Sequence, residues 1–225
     1  MASKKEKYII GIDEVGRGAL AGNVVVAATA VPTKLRIKNS ELRIKKKTKN
    51  SKSLILNFKL AKLRDSKKLT SSQREIWFKY AKKELRLQYA IASVSPKAID
   101  KINISEAANL AARKAFTLLI KNSEFRIKNC KVCLDGGLYL KSLKLKTWNL
   151  KSRTIIKGDE KISAISLASI IAKVSRDRQM KNLHKKYSQY GFEKNKGYGT
   201  KEHIKMIKKH GSSKIHRLTF LKKIR

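Results

Sequence analysis

The chain has 16 acidic residues against 55 lysines and arginines, so the placing of its acids is informative. Asp13 and Glu14 close a short apolar run, Tyr8 to Ile12, and precede Gly16-Arg17-Gly18. Asp135 ends a second run, Lys131 to Leu134, ahead of Gly136 and Gly137. Asp159 and Glu160 follow a third, Thr154 to Ile156, just after Gly158. One arrangement repeats: an apolar strand, a carboxylate, a glycine nearby. Neighbouring strands of one sheet would bring these ends together. Carboxylates gathered in one place repel and raise each other's pKa. A hard divalent cation removes that conflict, since magnesium takes oxygen ligands and needs only a few carboxylates beside a substrate phosphate. Two ions ~3.5–4 Å apart can activate a water and stabilise a leaving oxygen. Taken singly, each acid reads equally well as a turn residue or as a partner for a surplus lysine, and Asp-Gly is an ordinary turn signal. Recurrence at three strand ends favours the metal site.

The elements that must position these acids can be read from periodicity and capping. Tyr8 to Ile12 and Val24 to Val31 form two strands of a hairpin, the second buried on both sides. Thr70 and Gln73 fit a capping box that opens a helix from about Ser71 to Leu85. Leu87 to Val94 is the next strand. Pro96 starts a short helix, and Ser105 is expected to cap an alanine-rich one reaching about Ile120. Ser163 to about Lys185 is a long helix whose first half is small and apolar, suited to close packing on a sheet. Thr200 caps a last helix, Lys201 to His210, which Gly211 closes. Strands and helices interleaved in this way predict an α/β fold with a mixed sheet.

A formal net charge of +39 weakens a compact state by self-repulsion. A polyanion relieves it, and nucleic acid is the usual one. Charge alone favours a basic RNA- or DNA-binding protein without chemistry over an enzyme, because most very basic small proteins only bind. A membrane-surface role fits less well, because the basic residues run along the whole chain. The longest apolar run, Val24 to Val31, is eight residues, far short of a membrane span. The N-terminus has no apolar stretch behind its charges, so a cytoplasmic protein is expected. Cys130 and Cys133 make a lone Cys-x-x-Cys without the second pair of a zinc site. Lys34 to Lys62 holds eleven basic residues and one acid, and its text partly recurs at 121–129. Both read as basic low-complexity inserts in surface loops, or as extra nucleic-acid-binding arms.

Gly11-Ile12-Asp13-Glu14-Val15-Gly16-Arg17-Gly18-Ala19-Leu20-Ala21-Gly22 closely resembles the signature of the ribonuclease HII family. The likeness continues in order through Asp65-Ser66-Lys67-Lys68-Leu69, Leu134-Asp135-Gly136 and Lys157-Gly158-Asp159 with Ala168 to Asp177 behind it. Lys196 to Thr200 and His210 to Arg217 complete it. It implies an RNase H-like mixed sheet flanked by helices, with a catalytic domain over 1–185 and a C-terminal helical substrate-binding segment over 186–225. It implies Asp13, Glu14, Asp135 and Asp159 as catalytic ligands of two magnesium or manganese ions. It also implies that Gly16, Arg17 and Gly18 read the ribonucleotide, that Tyr198 lies on the sugar at the DNA side of the junction, and that Lys67 and Lys68 bind backbone phosphate. Only the 2′-hydroxyl separates the two sugars, and glycine lets a backbone approach it. The expected substrates are RNA–DNA hybrids and duplex DNA with embedded ribonucleotides, cut 5′ of the ribonucleotide to leave 3′-hydroxyl and 5′-phosphate ends by a chain acting as a monomer. Glu160 and Asp177 are decoys, Asp177 reading as an ion-pair residue on a helix. Ala19 and Asn23 stand where relatives usually have proline, which would loosen the loop after Gly18. Gly16-Arg17-Gly18 argues against the sister ribonuclease HIII pattern.

Overall fold

The computed structural model describes residues 7–35, 41–47, 53–59, 63, 68–123, 130–140 and 150–222. Strand β1 (Tyr8–Val15) pairs antiparallel with β2 (Val24–Pro32), Asp13 opposite Ala27. Strands β3 (Glu41–Lys47) and β4 (Ser53–Lys59) form a separate antiparallel pair. The 34–62 insert is therefore not wholly loop, contrary to expectation. Its lysine-rich composition masks the alternation Leu42-Arg43-Ile44-Lys45, a strand pattern. Of the second insert, 121–129, Lys121 is the last residue of an α-helix, and 124–129 lie outside the described residues, as does Lys67.

Helix α1 (Ser71–Lys83) starts with the expected capping box, Thr70 Oγ1 accepting from the Gln73 N–H at 3.2 Å and Gln73 Oε1 from the Thr70 N–H at 2.8 Å. Strand β5 (Gln88–Val94) pairs antiparallel with β2. Helix α2 (Pro96–Ile102) has proline in its first turn, and α3 (Ile104–Lys121) follows. The cap of α3 is Asn103, not Ser105: its φ of 63° is left-handed, and its Oδ1 accepts from the N–H groups of Ser105 and Glu106. Asparagine tolerates that backbone because its short amide can hydrogen-bond locally.

Strand β6 (Cys130–Asp135) lies parallel beside β1, Ile12 opposite Leu134, and β7 (Lys151–Ile155) lies parallel beside β6, Asp135 opposite Ile155. The sheet order is β5-β2-β1-β6-β7, the mixed sheet that the sequence predicts. Cys130 and Cys133 are buried in β6. Helix α4 (Gly158–Lys161) is one turn, and α5 (Ser163–Lys186) is the long helix behind the sheet. On β2 the even positions Val24, Val26 and Ala28 pack toward the alanine face of α3, while Ala27 and Val31 join Trp77 and Phe78 of α1 and the apolar half of α5. A strand buried on both faces must be apolar throughout, as this one is.

Beyond α5 come a 3-10 turn (Ser188–Tyr190), α6 (Phe192–Asn195), α7 (Lys201–His210) and α8 (Leu218–Leu221). They share a small core, Tyr190, Phe192, Ile207 and Leu221, with Leu20 and Ala21 of the β1–β2 connection. No described helix is long and apolar enough to cross a membrane.

Candidate active site

Parallel pairing of β1 and β6 sets Asp13 and Asp135 at neighbouring strand ends. Oxygens of Asp13, Glu14 and Asp135 all lie within 4.8 Å of one another. Asp13 is 4% exposed, and its carboxyl is raised well above the usual range, first by burial and then by the charges of Glu14 and Asp135. Glu14 is also raised, again mainly by burial, with Arg17 pulling the other way. Glu14 Oε2 is buried with no hydrogen-bond partner. A buried, unsatisfied carboxylate oxygen between two further carboxylates fits a divalent cation, since uncompensated buried charge is costly. Three local bonds aim the set. The Glu14 N–H donates to Asp13 Oδ1 at 2.7 Å, the Gly158 N–H to Asp135 Oδ1 at 2.7 Å, and Arg17 Nη1 lies 3.5 Å from Glu14 Oε1.

Asp159 is 1% exposed and stands next to Gly158, beside Asp135, but it is outside the trio within 4.8 Å. Glu160 is exposed. Asp177 accepts from Arg74 Nη2 at 3.0 Å and from Ser71 Oγ at 3.2 Å, the ion pair expected of it.

An open cleft of about 280 Å³ lies over the trio, lined also by Gly16, Arg17, Gly18, Lys173 and Tyr198. Residues from 13 to 198 thus converge on one opening. Arg17 Nη1 also donates to the Gly137 carbonyl at 3.3 Å, joining the ends of β1 and β6. Tyr198 is 39% exposed, its ring on the cleft rather than in a core. Lys68 is exposed ahead of α1 and does not line the cleft.

Ser169 and Lys173 carry functional contacts that sequence reasoning did not assign. Ser169 hydrogen-bonds Asp13, and Lys173 Nζ donates to Ser169 Oγ at 2.7 Å while its charge favours ionised Asp13. Both stand in the Ala168 to Asp177 motif, and their spacing of four puts them on one face of α5.

Two buried histidines hold the Tyr198 turn to the C-terminal segment. His203 Nδ1 donates to the Tyr198 carbonyl at 2.9 Å, and His216 Nδ1 accepts from the Ser213 N–H at 2.9 Å. Those bonds leave His216 Nε2–H to donate to His203 Nε2, 3.2 Å away. Each ring has one proton, and a second would set two N–H groups against each other. Burial lowers both pKa values, that of His216 to about 4, with His203 as its second cause. Below the ordinary histidine value of 6.5 the unfolded chain takes up protons that the folded one refuses. Stability is therefore expected to fall as pH drops from about 6.5 toward 4. Thermal melts across that window should show the loss in the wild type and a flatter profile in His216→Gln.

The ribonuclease HII family description matches residues 10–223. A ribonuclease HII of Pelagibacter ubique is 43% identical over 216 residues, 95% of this chain and 96% of that protein. One of Caldicellulosiruptor bescii is 40% identical over 218 residues, 97% of this chain and 88% of that protein. The solved ribonuclease H2 of Pyrococcus horikoshii shares 26% of its residues, with a TM-score of 0.62 over 96% of each chain. A family match over nearly the whole chain, with relatives 40% or more identical along almost their full length, settles the family: the chain belongs to the ribonuclease HII family of endonucleases.

Proposed function

We propose that this enzyme hydrolyses the RNA strand of RNA–DNA hybrids and cuts duplex DNA on the 5′ side of an embedded ribonucleotide. The observation that carries the reading is the meeting of the carboxylate trio with Gly16-Arg17-Gly18 and Tyr198 in one cleft. Asp13, Glu14 and Asp135, with Asp159 beside them, would hold magnesium or manganese. When bound, two such ions supply the Lewis acidity that phosphodiester hydrolysis needs. Arg17 and Lys173 place positive charge beside the acids where a phosphate enters, and Arg17 can present its fork to phosphate oxygens. Among the described residues the N–H groups of Arg17 and Gly18 donate to no protein acceptor. They are free to meet the 2′-hydroxyl, the one group that separates RNA from DNA at a single sugar. Tyr198 offers a ring to the neighbouring deoxyribose. Lys67, Lys68 and the C-terminal segment bind backbone phosphate. Water oxygen bonds to phosphorus, the bond from phosphorus to O3′ breaks, and O3′ takes a proton. The ends are a 3′-hydroxyl and a 5′-phosphate.

The experiment is a cut map on duplex DNA carrying one ribonucleotide, beside the same duplex without it, with magnesium, with manganese and with chelator. One cut 5′ of the ribonucleotide, dependent on metal, is expected. Cutting of the all-DNA duplex, or no cut with either metal, overturns the proposal.

A further inference from the structure

Two arginines are buried without an ion pair to a carboxylate among the described residues. Arg176 on α5 is 1% exposed and Arg217 is 0% exposed. Burial lowers both pKa values, that of Arg217 to about 9, with the Arg176 charge as its second cause. Two like charges kept out of water and near each other are expensive, and such groups persist where every donor has a use. Here every side-chain donor but one goes to a backbone carbonyl of a single loop, and the last goes to the turn before Tyr198. Arg217 Nη1 donates to Arg17 O at 2.8 Å, and its Nε and Nη2 to Gly22 O at 3.1 and 2.8 Å. Its backbone N–H takes Leu20 O at 2.8 Å. Arg176 donates from Nη2 to Ala21 O at 3.0 Å, from Nε to Asn23 O at 3.1 Å and from Nη1 to Lys196 O at 2.7 Å. Its guanidinium also lies 5.3 Å from the centre of the Tyr198 ring. A Cβ on Gly16, whose φ is +88°, would fall well under 3.0 Å from the Arg176 side chain.

Resting on the function proposed above, we infer that Arg176 and Arg217 are positioning residues for ribonucleotide selectivity, a paired clamp that fixes the backbone after Gly16 against the Tyr198 turn. They touch no substrate. They take up the carbonyls of residues 17 and 20–23, so the N–H groups of Arg17 and Gly18 hold one direction. Positions 19 and 23 lack the prolines that would stiffen the loop from within. Buried guanidiniums stiffen it from behind.

The test compares wild type with Arg176→Lys and Arg217→Lys. Lysine keeps the charge but loses the planar fork. Affinity for a duplex with one ribonucleotide and for the matching all-DNA duplex is measured in calcium, alongside kcat and KM in magnesium. The lysine variants should lose at least tenfold of the preference for the ribonucleotide duplex, while all-DNA affinity changes less than about threefold and the loss in turnover falls on kcat. An equal fall for both duplexes, or an unchanged preference in a folded variant, overturns the inference, because a merely structural role weakens both alike. A wild type that shows neither preference nor cleavage would instead sink the proposed function. Amide exchange on the wild type tests the clamp without a variant. The N–H groups of Leu20, Ala21 and Gly22 donate to Gly197 O, Gly197 O and Ile215 O. They should exchange as slowly as those of β1, and exchange at unprotected rates overturns the clamp.

Discussion

Asp13→Asn is expected to lower the cleavage rate by about a thousandfold or more, the upper end of what one charge-stabilising group supplies, while duplex affinity stays near wild type. Asp13 is the most buried of the trio and has a neighbouring carboxylate on either side in space. Asparagine keeps its shape and removes the charge that answers a divalent cation. Nucleic-acid affinity comes from phosphate contacts made by the many basic residues, which the change leaves alone. Fluorescence anisotropy and single-turnover cleavage separate the two. A further readout needs no turnover: manganese should raise the melting temperature of the wild type, because a ligand of the folded state stabilises it, and should do so much less in the variant. Equal loss of binding and cutting would mean that the acids serve the fold.

Gly11→Ala should be among the most damaging single substitutions in the sheet, costing ~3 kcal/mol or more of stability, at or beyond the usual range for overpacking. A Cβ there would fall well under 3.0 Å from backbone atoms of Ala164 and Ile165. No flexible side chain can yield. The first turn of α5 rests directly on β1, and Thr29 Oγ1 pins it further by donating to the Ala164 carbonyl at 2.9 Å. That close seat is what lets Ser169 reach Asp13. Urea unfolding measures the loss. Whatever fraction of the variant folds should also cut more slowly, since α5 must move away from Asp13. Gly18→Ala is the control. Nothing lies within 4 Å of its added Cβ, so stability should hold within the small range of surface changes.

Much of this site was legible from strand ends. Acids at the close of apolar runs become neighbours when the runs pair in parallel, and β1 and β6 do so. The capping box at Thr70 was equally plain, because its two bonds are local. What failed was of two kinds. Asn103 was passed over for Ser105 because helix-cap preferences do not register a left-handed backbone. The β3–β4 pair was hidden by its own charge. Arg176 and Arg217 stand inside two of the motifs that carry the resemblance, but their role was not legible there. Their acceptors are carbonyls as far as 200 residues away, and no residue type marks a carbonyl. Charge alone also left a basic binding protein without chemistry open; family membership removes it.

The loop that follows Gly16 is held by residue 197 and by residues 215–217, almost the whole chain away. Synthesis runs from the N-terminus, so Asp13, Glu14 and Asp135 emerge well before the donors that fix this loop. At about 5–20 residues per second, the interval between residues 135 and 217 is roughly 4–16 s. Contacts this distant in sequence are also the slow ones to form. On the function proposed above, the acids are thus synthesised before the arginines that hold the loop read against the ribose, so sugar selectivity would be the later of the two properties to form.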